Sequence, residues 1–186
     1  MIDFELRLEN ETLLLRPLEG QDLPGLMNLT SEPDLWRFYT HDLSTLESLI
    51  AWSKPAFEKQ RLQFIIIDKG NGLPMGCTAF GNISERDKRL EIGWTWLGKA
   101  YQGKGINNQV KRLMLSHCFD ILELERVEFK TDVLNIQARN SLKNIGAIEE
   151  GVLRSHTLMT KERRRDTIYY SILKSEWNYV KRENDW

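Results

Sequence analysis

Leu90-Glu91-Ile92-Gly93-Trp94-Thr95-Trp96-Leu97-Gly98-Lys99-Ala100-Tyr101-Gln102-Gly103-Lys104-Gly105-Ile106-Asn107 is the stretch on which the reading of this chain turns. Its first half alternates with the period of two that a strand imposes, putting Leu90, Ile92, Trp94 and Trp96 on one face and Glu91, Gly93 and Thr95 on the other. Its second half is a turn, because Gly103 and Gly105 accept positive φ and leave the main chain bare for the close approach of a ligand. From Ile106 to Leu122 the period becomes helical, with Ile106, Val110, Leu113, Cys118 and Ile121 on one side. A helix that starts at such a turn offers unpaired N–H groups and the positive end of its dipole. The junction therefore reads as a cradle for a pyrophosphate.

Two kinds of glycine loop compete for it. Gly98 to Lys104 has the G-x-x-x-x-G-K spacing of a P-loop, but the next residue is Gly105, which brings no hydroxyl to hold Mg²⁺. Gln102-Gly103-Lys104-Gly105-Ile106 instead resembles the acetyl-CoA loop of the GNAT acetyltransferase superfamily, Q/R-x-x-G-x-G/A, with Asn107 departing at the sixth place. The resemblance continues downstream. Asn135 opens a helical stretch ending at Gly146-Ala147, and Glu149 to Arg154, Arg165-Asp166-Thr167, Ser171-Ile172-Leu173 and Glu176-Trp177 follow the pattern of the RimJ/RimL-type branch. It spans the chain from Leu13 to Trp177.

Composition narrows the class. A chain of 186 residues suits a single well-buried core, so one domain over residues 1–186 is expected. Lys plus Arg total 26 against 27 for Asp plus Glu, a net charge of −1, so no overall field recruits nucleic acid or an anionic membrane. Cys77 and Cys118 lack the spacing of a zinc site or a disulfide framework, which fits a reduced cytoplasmic protein. Met1-Ile2-Asp3-Phe4-Glu5 lacks the features of a signal peptide, and no apolar run approaches membrane-spanning length. A soluble, intracellular protein is expected, its oligomeric state open, a homodimer included.

Taken in order, Thr12 to Leu18 reads as a first strand that stops pairing at Pro17, and Leu23 to Thr30 as a helix. Ser44-Thr45-Leu46-Glu47 is a capping box opening a second helix, with Leu46, Leu49, Ile50, Ser53 and Phe57 as its apolar stripe and Pro55 as a kink. Leu62 to Ile67 and Leu73 to Ile83 form a hairpin across Asp68 to Gly72, and Arg89 to Leu97 adds the next antiparallel strand. Arg126 to Asp132 is a strand, Asn135 caps a helix that Gly146 ends, and Ile148 to Met159 and Asp166 to Lys174 are two final strands. This is the GNAT order. The resemblance implies an α/β (α+β) fold whose central sheet is mixed and mostly antiparallel, flanked by helices, with its fourth and fifth strands parallel and splayed around the cofactor.

The resemblance also implies the chemistry: acetyl-CoA as co-substrate, no metal, and a primary amine acceptor, either a peptide N-terminus or a small molecule. Acetyl-CoA would lie between Glu91 to Leu97 and Val127 to Asn135. The loop Gln102, Gly103, Lys104, Gly105, Ile106 and Asn107 would hold the pyrophosphate, and a main-chain N–H among Trp94, Thr95 and Trp96 would face the thioester oxygen. Asn135 is carried over as a side-chain bond to the cofactor, with a plain helix cap as the alternative. Glu91 aligns with a family glutamate that takes the amine proton through a water. An α-amino group, with pKa near 8, is about 3 kcal/mol cheaper to deprotonate than a lysine.

At the general acid the pattern breaks. Leu142 stands where many relatives carry a tyrosine and Ala138 where the motif has serine, which leaves Ser141 as the nearest hydroxyl. A CoA thiol, with pKa roughly 8.5, can also leave as thiolate. Trp36, Phe38 and Tyr39 are candidate walls of the acceptor pocket, and His156 is a candidate to face the acceptor. Cys77 and His117 read as core residues. The basic tip Lys161, Arg163, Arg164 and Arg165 is a solvated turn or a contact for an acidic acceptor or partner. A second class of function is a CoA-binding sensor that has lost catalysis, motivated by Ala138 and Leu142.

Overall fold

A computed structural model describes residues 2–186, the side chains of Pro33 and Lys161 excepted. Eight strands form one sheet: β1 (Leu8–Glu9), β2 (Leu13–Pro17), β3 (Leu62–Asp68), β4 (Pro74–Ser84), β5 (Arg89–Leu97), β6 (Arg126–Asp132), β7 (Ile148–Leu158) and β8 (Arg164–Leu173). Their spatial order is β1-β2-β3-β4-β5-β6-β8-β7, and every pairing is antiparallel except the parallel contact between β5 and β6. The helices are α1 (Leu23–Thr30), α2 (Leu46–Phe57), α3 (Ile106–Ser116), α4 (Ile136–Asn144) and α5 (Trp177–Glu183). The sheet buries both faces. Phe64, Phe80, Leu90 and Phe129 pack with Val110 and Met114 of α3 and Trp177 of α5 on one side. Ile65, Cys77 and Trp96 pack with Leu26 of α1 and Leu49 and Trp52 of α2 on the other.

The strict alternation expected along β5 fails. Gly93 pairs with Ala79, but the next pair is Trp96 with Cys77, so Trp94 and Thr95 together oppose Thr78. That is a β-bulge, and Trp94 takes a left-handed φ of +51° to form it. Leu90 and Ile92 face α3 as expected, while Trp94 and Trp96 turn to the α1 and α2 side. Gly81 makes room for the bulge, since a Cβ there would lie 2.4 Å from the Trp94 ring.

Five further expectations are corrected. The cap of α2 is Thr45 with Ser48, not Ser44 with Glu47, and Pro55 lies inside an unbroken helix. The inward residues of α2 are Leu49, Trp52 and Ser53, while Leu46, Ile50 and Phe57 are exposed. Pro17 does not end the pairing of β2: it sits opposite Phe64, and the next N–H, of Leu18, donates to Gln63 O at 2.8 Å. Beyond Ser116 the helix widens into a π-turn over His117–Ile121, which rotates Ile121 out to 69% exposure.

Candidate active site

β5 and β6 pair at only three positions, Arg89 with Arg126, Leu90 with Val127 and Glu91 with Glu128, and then part. Each remains held on its outer side, β5 by β4 and β6 by β8. Two strand edges therefore diverge without partners, and between them opens a cavity of about 1000 Å³ that runs from the Gly103–Gly105 turn to the aromatic segment before α2. Edges left this way accept the amides of an extended ligand as another strand would.

The mouth of α3 closes one end. Gly103 and Gly105 have φ of +72° and +77°, and a Cβ on either would meet nothing within 4 Å, so glycine is needed there for conformation and the space above it stays open. The N–H groups of Ile106, Asn107 and Asn108 have no protein acceptor among the described residues. Gln102 is turned inward, its Nε2 donating to Leu97 O at 3.0 Å and tying the turn to the end of β5. Lys104 is exposed on the rim. Asn107 replaces the small residue of the family pattern and bridges two helices: its Nδ2 donates to Ser141 Oγ at 3.0 Å, and its buried Oδ1 has no partner. Asn135 caps α4 through Oδ1, which accepts from Ala138 N–H at 3.1 Å, and the residue lines the cleft.

At the centre lies the bulge. Thr95 Oγ1 is 2.8 Å from Thr78 Oγ1 and accepts from Lys111 Nζ at 3.0 Å, while its main-chain oxygen accepts from the Tyr39 hydroxyl. Lys111 is a site residue that the motifs of the sequence do not mark. It is 4% exposed, lies 5.7 Å from the Phe129 ring centre, and burial lowers its pKa to about 7. The available signal was a lysine standing in the inward stripe of α3, four residues after Asn107, three before Met114 and seven before Cys118.

Glu91 lies across from it on the same cavity, 6% exposed. Its Oε2 accepts from Asn82 Nδ2 at 2.6 Å and pairs with Lys130 Nζ of β6 at 2.7 Å. Burial works to lower the pKa of Lys130, but the hydrogen bond and charge of Glu91 outweigh it and hold the ammonium above its ordinary value.

The residues expected as walls of an acceptor pocket fall in different places. Phe38, Tyr39 and His156 line the cavity, His156 with Nδ1 3.1 Å from Thr167 Oγ1. Burial raises the Tyr39 phenol. Trp36 does not line it: the side chain is 2% exposed, donates Nε1–H to Thr30 O at 2.9 Å, and packs edge-on against Tyr39 and Trp96 behind the wall. Its apolar bulk serves the core under the loop. Trp52, which the sequence reading did not single out, shares this wall with the Trp94 ring, and Arg61 is buried behind them, its guanidinium 4.9 and 5.2 Å from the two rings and lowered to about 10 by burial. The Nε1 of Trp96 is buried without a protein partner.

At the hairpin tip, Arg163 pairs with buried Asp132, Arg164 bonds Ser155 O at 2.5 Å, and Arg165 bonds Thr167 Oγ1 at 2.9 Å while lining the cavity. The tip is thus largely engaged within the chain, and the Lys161 side chain lies outside the described residues. Cys77 and Cys118 are buried on opposite faces of the sheet, where burial raises both thiols. Among the described residues, no three His, Cys, Asp or Glu side chains are grouped to hold a metal ion, and no helix is long and apolar enough to cross a membrane.

Residues 12–148 match the family model described as "Acetyltransferase (GNAT) domain". The chain belongs to the GNAT acetyltransferase family. It is 30% identical over 175 residues to the Bacillus subtilis protein named "Putative ribosomal N-acetyltransferase YdaF", covering 90% of this chain and 94% of that one. This similarity supports the RimJ/RimL-type branch. It is 22% identical over 165 residues to the Escherichia coli spermidine N(1)-acetyltransferase, covering 88% of this chain and 87% of the relative. A crystal structure of a "putative acetyltransferase" from T. thermophilus superposes with a TM-score of 0.89 at 31% identity, covering 100% of this chain and 98% of that one. The chain is an N-acetyltransferase, and enzymes of this family use acetyl-CoA. The residues present fit that co-substrate: an open glycine turn, unpaired N–H groups at a helix mouth and two diverging strand edges.

Proposed function

We propose that residues 1–186 work as one domain that transfers the acetyl group of acetyl-CoA directly to a primary amine, within a complex holding both substrates. The observation that carries this reading is the continuity of one cavity, with a bare helix mouth at one end, a bulged strand in the middle and the Glu91 carboxylate toward the acceptor end. When bound, acetyl-CoA supplies an activated thioester. The protein's part is to hold and orient it: N–H groups from Gly103 to Asn108 take the pyrophosphate, the inner edges of β5 and β6 take the pantetheine amides, and Asn135 adds a side-chain donor. A main-chain N–H at the bulge, among Trp94, Thr95 and Trp96, faces the thioester oxygen.

Glu91 receives the proton of the incoming amine through a water, with Asn82 and Lys130 fixing the carboxylate. Ser141, engaged as the acceptor of Asn107 Nδ2, serves better as a brace between α3 and α4 than as an acid. The charge of the acceptor end favours a single α-amine on a peptide over a polyamine. Its inner carboxylate is already paired with Lys130, and Arg165 adds a cation to the lining, with Arg61 buried behind the Trp52 and Trp94 rings, whereas Glu32 and Asp34 lie on the exposed rim. The buried free thiols suit a reducing compartment, the cytoplasm.

The test is thiol release from acetyl-CoA with a set of short peptides and with spermidine. Turnover with peptides bearing a free N-terminus, reduced when that terminus is blocked, is the expected result. Tight CoA binding without turnover on any amine would point to the sensor reading instead, and preference for spermidine would overturn the peptide assignment.

A further inference from the structure

α3 sends one basic side chain into the sheet at the place where β5 and β6 have just separated. Lys111 Nζ reaches Thr95 Oγ1 on β5 at 3.0 Å and lies 5.7 Å from the Phe129 ring on β6, so it spans the split from strand to strand. A lysine ammonium has three donors, and Thr95 is the one hydrogen-bond acceptor it meets among the described residues. No carboxylate among them pairs with it. A position with only a packing role would favour a leucine or methionine, because burying an ammonium without a counter-charge is costly. The side chain also lines the cavity, beneath the bulge whose main chain faces the reacting group in the reading above. Leu142, 8% exposed, and Ala138 meanwhile leave α4 without the hydroxyl its motif would supply there.

Resting on that reading, we propose that Lys111 is the proton donor to the coenzyme sulfur. The acceptor nitrogen forms its bond to the acyl carbon, the carbon–sulfur bond breaks, and the electron pair leaves with sulfur. The Lys111 ammonium then gives sulfur a proton and becomes a neutral amine, which Thr95 and Phe129 retain until water recharges it. Burial brings this group to about 7, where it is both populated as a donor and able to release its proton. The other titratable groups lining the cavity are Glu91 on β5, Lys130 on β6, Arg165 on β8, His156 on β7, Lys99 and Tyr101 between β5 and α3, and Glu32, Asp34, Tyr39 and His41 before α2. Glu91 and Lys130 are paired with each other.

The experiment compares the full-length protein with Lys111→Met and Lys111→Gln, the second keeping a hydrogen bond to Thr95 if the first fails to fold. Free CoA is bound to each, and its thiol is titrated by thiolate ultraviolet absorbance, with no turnover required. The wild type should lower the thiol pKa by about one unit or more relative to free CoA, and the variants should lose that shift. The pH profile of kcat should lose its basic limb in the variants, with a drop of about 100-fold and little change in the KM for acetyl-CoA. If CoA does not bind the wild type, the acetyl-CoA reading itself fails. If CoA binds and its thiol titrates alike in all three proteins, Lys111 only braces the bulge and the proposal is overturned, however slow the variants are.

Discussion

The two ends of the cavity are built from different material. The end proposed for the coenzyme is made of main chain: the Gly103 to Gly105 turn, the first N–H groups of α3, and the edges of β5 and β6 after Glu91. The end proposed for the acceptor is made of side chains, with Trp94 and Trp52 backed by Arg61 and with Glu91, Asn82 and Lys130 bonded together. Main-chain sites depend on few residue types and tolerate wide change elsewhere. Side-chain sites are tuned by every neighbour, which is where relatives with different acceptors are free to diverge.

The sharpest way to break this contrast is at Glu91. Glu91→Gln keeps the shape but removes the proton acceptor and leaves Lys130 facing an uncharged amide, so kcat should fall by about 10²- to 10⁴-fold with the acetyl-CoA Kd unchanged. Steady-state rates with calorimetric binding measure both. An equal loss of acetyl-CoA affinity would show that the two ends are not separable.

The next largest effect is on stability. In the folded protein Lys111 titrates near 7, against an ordinary value of 10.5. Between those values the unfolded chain carries a proton that the native chain lacks, so stability rises with pH across this window and falls as pH drops toward 7. The gain from pH 7 to 10 attributable to Lys111 should be on the order of 2 to 4 kcal/mol. Lys111→Met should be more stable than the wild type near neutrality and should lose that part of the slope, as read by urea melts at several pH values.

These contrasts explain what was legible in the sequence. Gly103 and Gly105 announce a left-handed turn because few other residues adopt it, and the change from period two to helical period marks where β5 gives way to α3. The bulge at Trp94 carries no such mark. A bulge inserts one residue into a strand, and period-two reading carries every later side chain to the wrong face, as it did for Trp94 and Trp96. The π-turn after Ser116 does the same to a helix and moved Ile121 outside. Trp36 was misplaced for a different reason: an aromatic cluster beside a cavity and one beneath it look alike in one dimension, and only the bond to Thr30 O puts this indole underneath.

A bulky residue at the glycine turn tests the coenzyme end alone. Gly105→Val must hold φ near +77°, at a cost of about 1 to 2 kcal/mol or more for a β-branched residue, and fills the open space above the turn. The acetyl-CoA Kd should rise at least about tenfold while the pH dependence of kcat at saturation persists. Unchanged affinity would remove the pyrophosphate from this turn.

The smallest effect probes the acceptor end alone. Trp96 Nε1–H is buried with no protein acceptor, on a side chain that lines the cavity and packs edge-on against Trp36. An unmet donor costs about 1 to 3 kcal/mol in the folded state, so Trp96→Phe removes that cost while giving up part of the indole's packing, and the melting temperature should change little. Because that N–H is closed off from the cavity, an acceptor entering it does not meet the donor, and the peptide KM and the acetyl-CoA KM should both stay within about twofold. A clear rise in the peptide KM alone would mean that the wall opens when the acceptor binds, and would extend its recognition beyond the Glu91 side of the cavity.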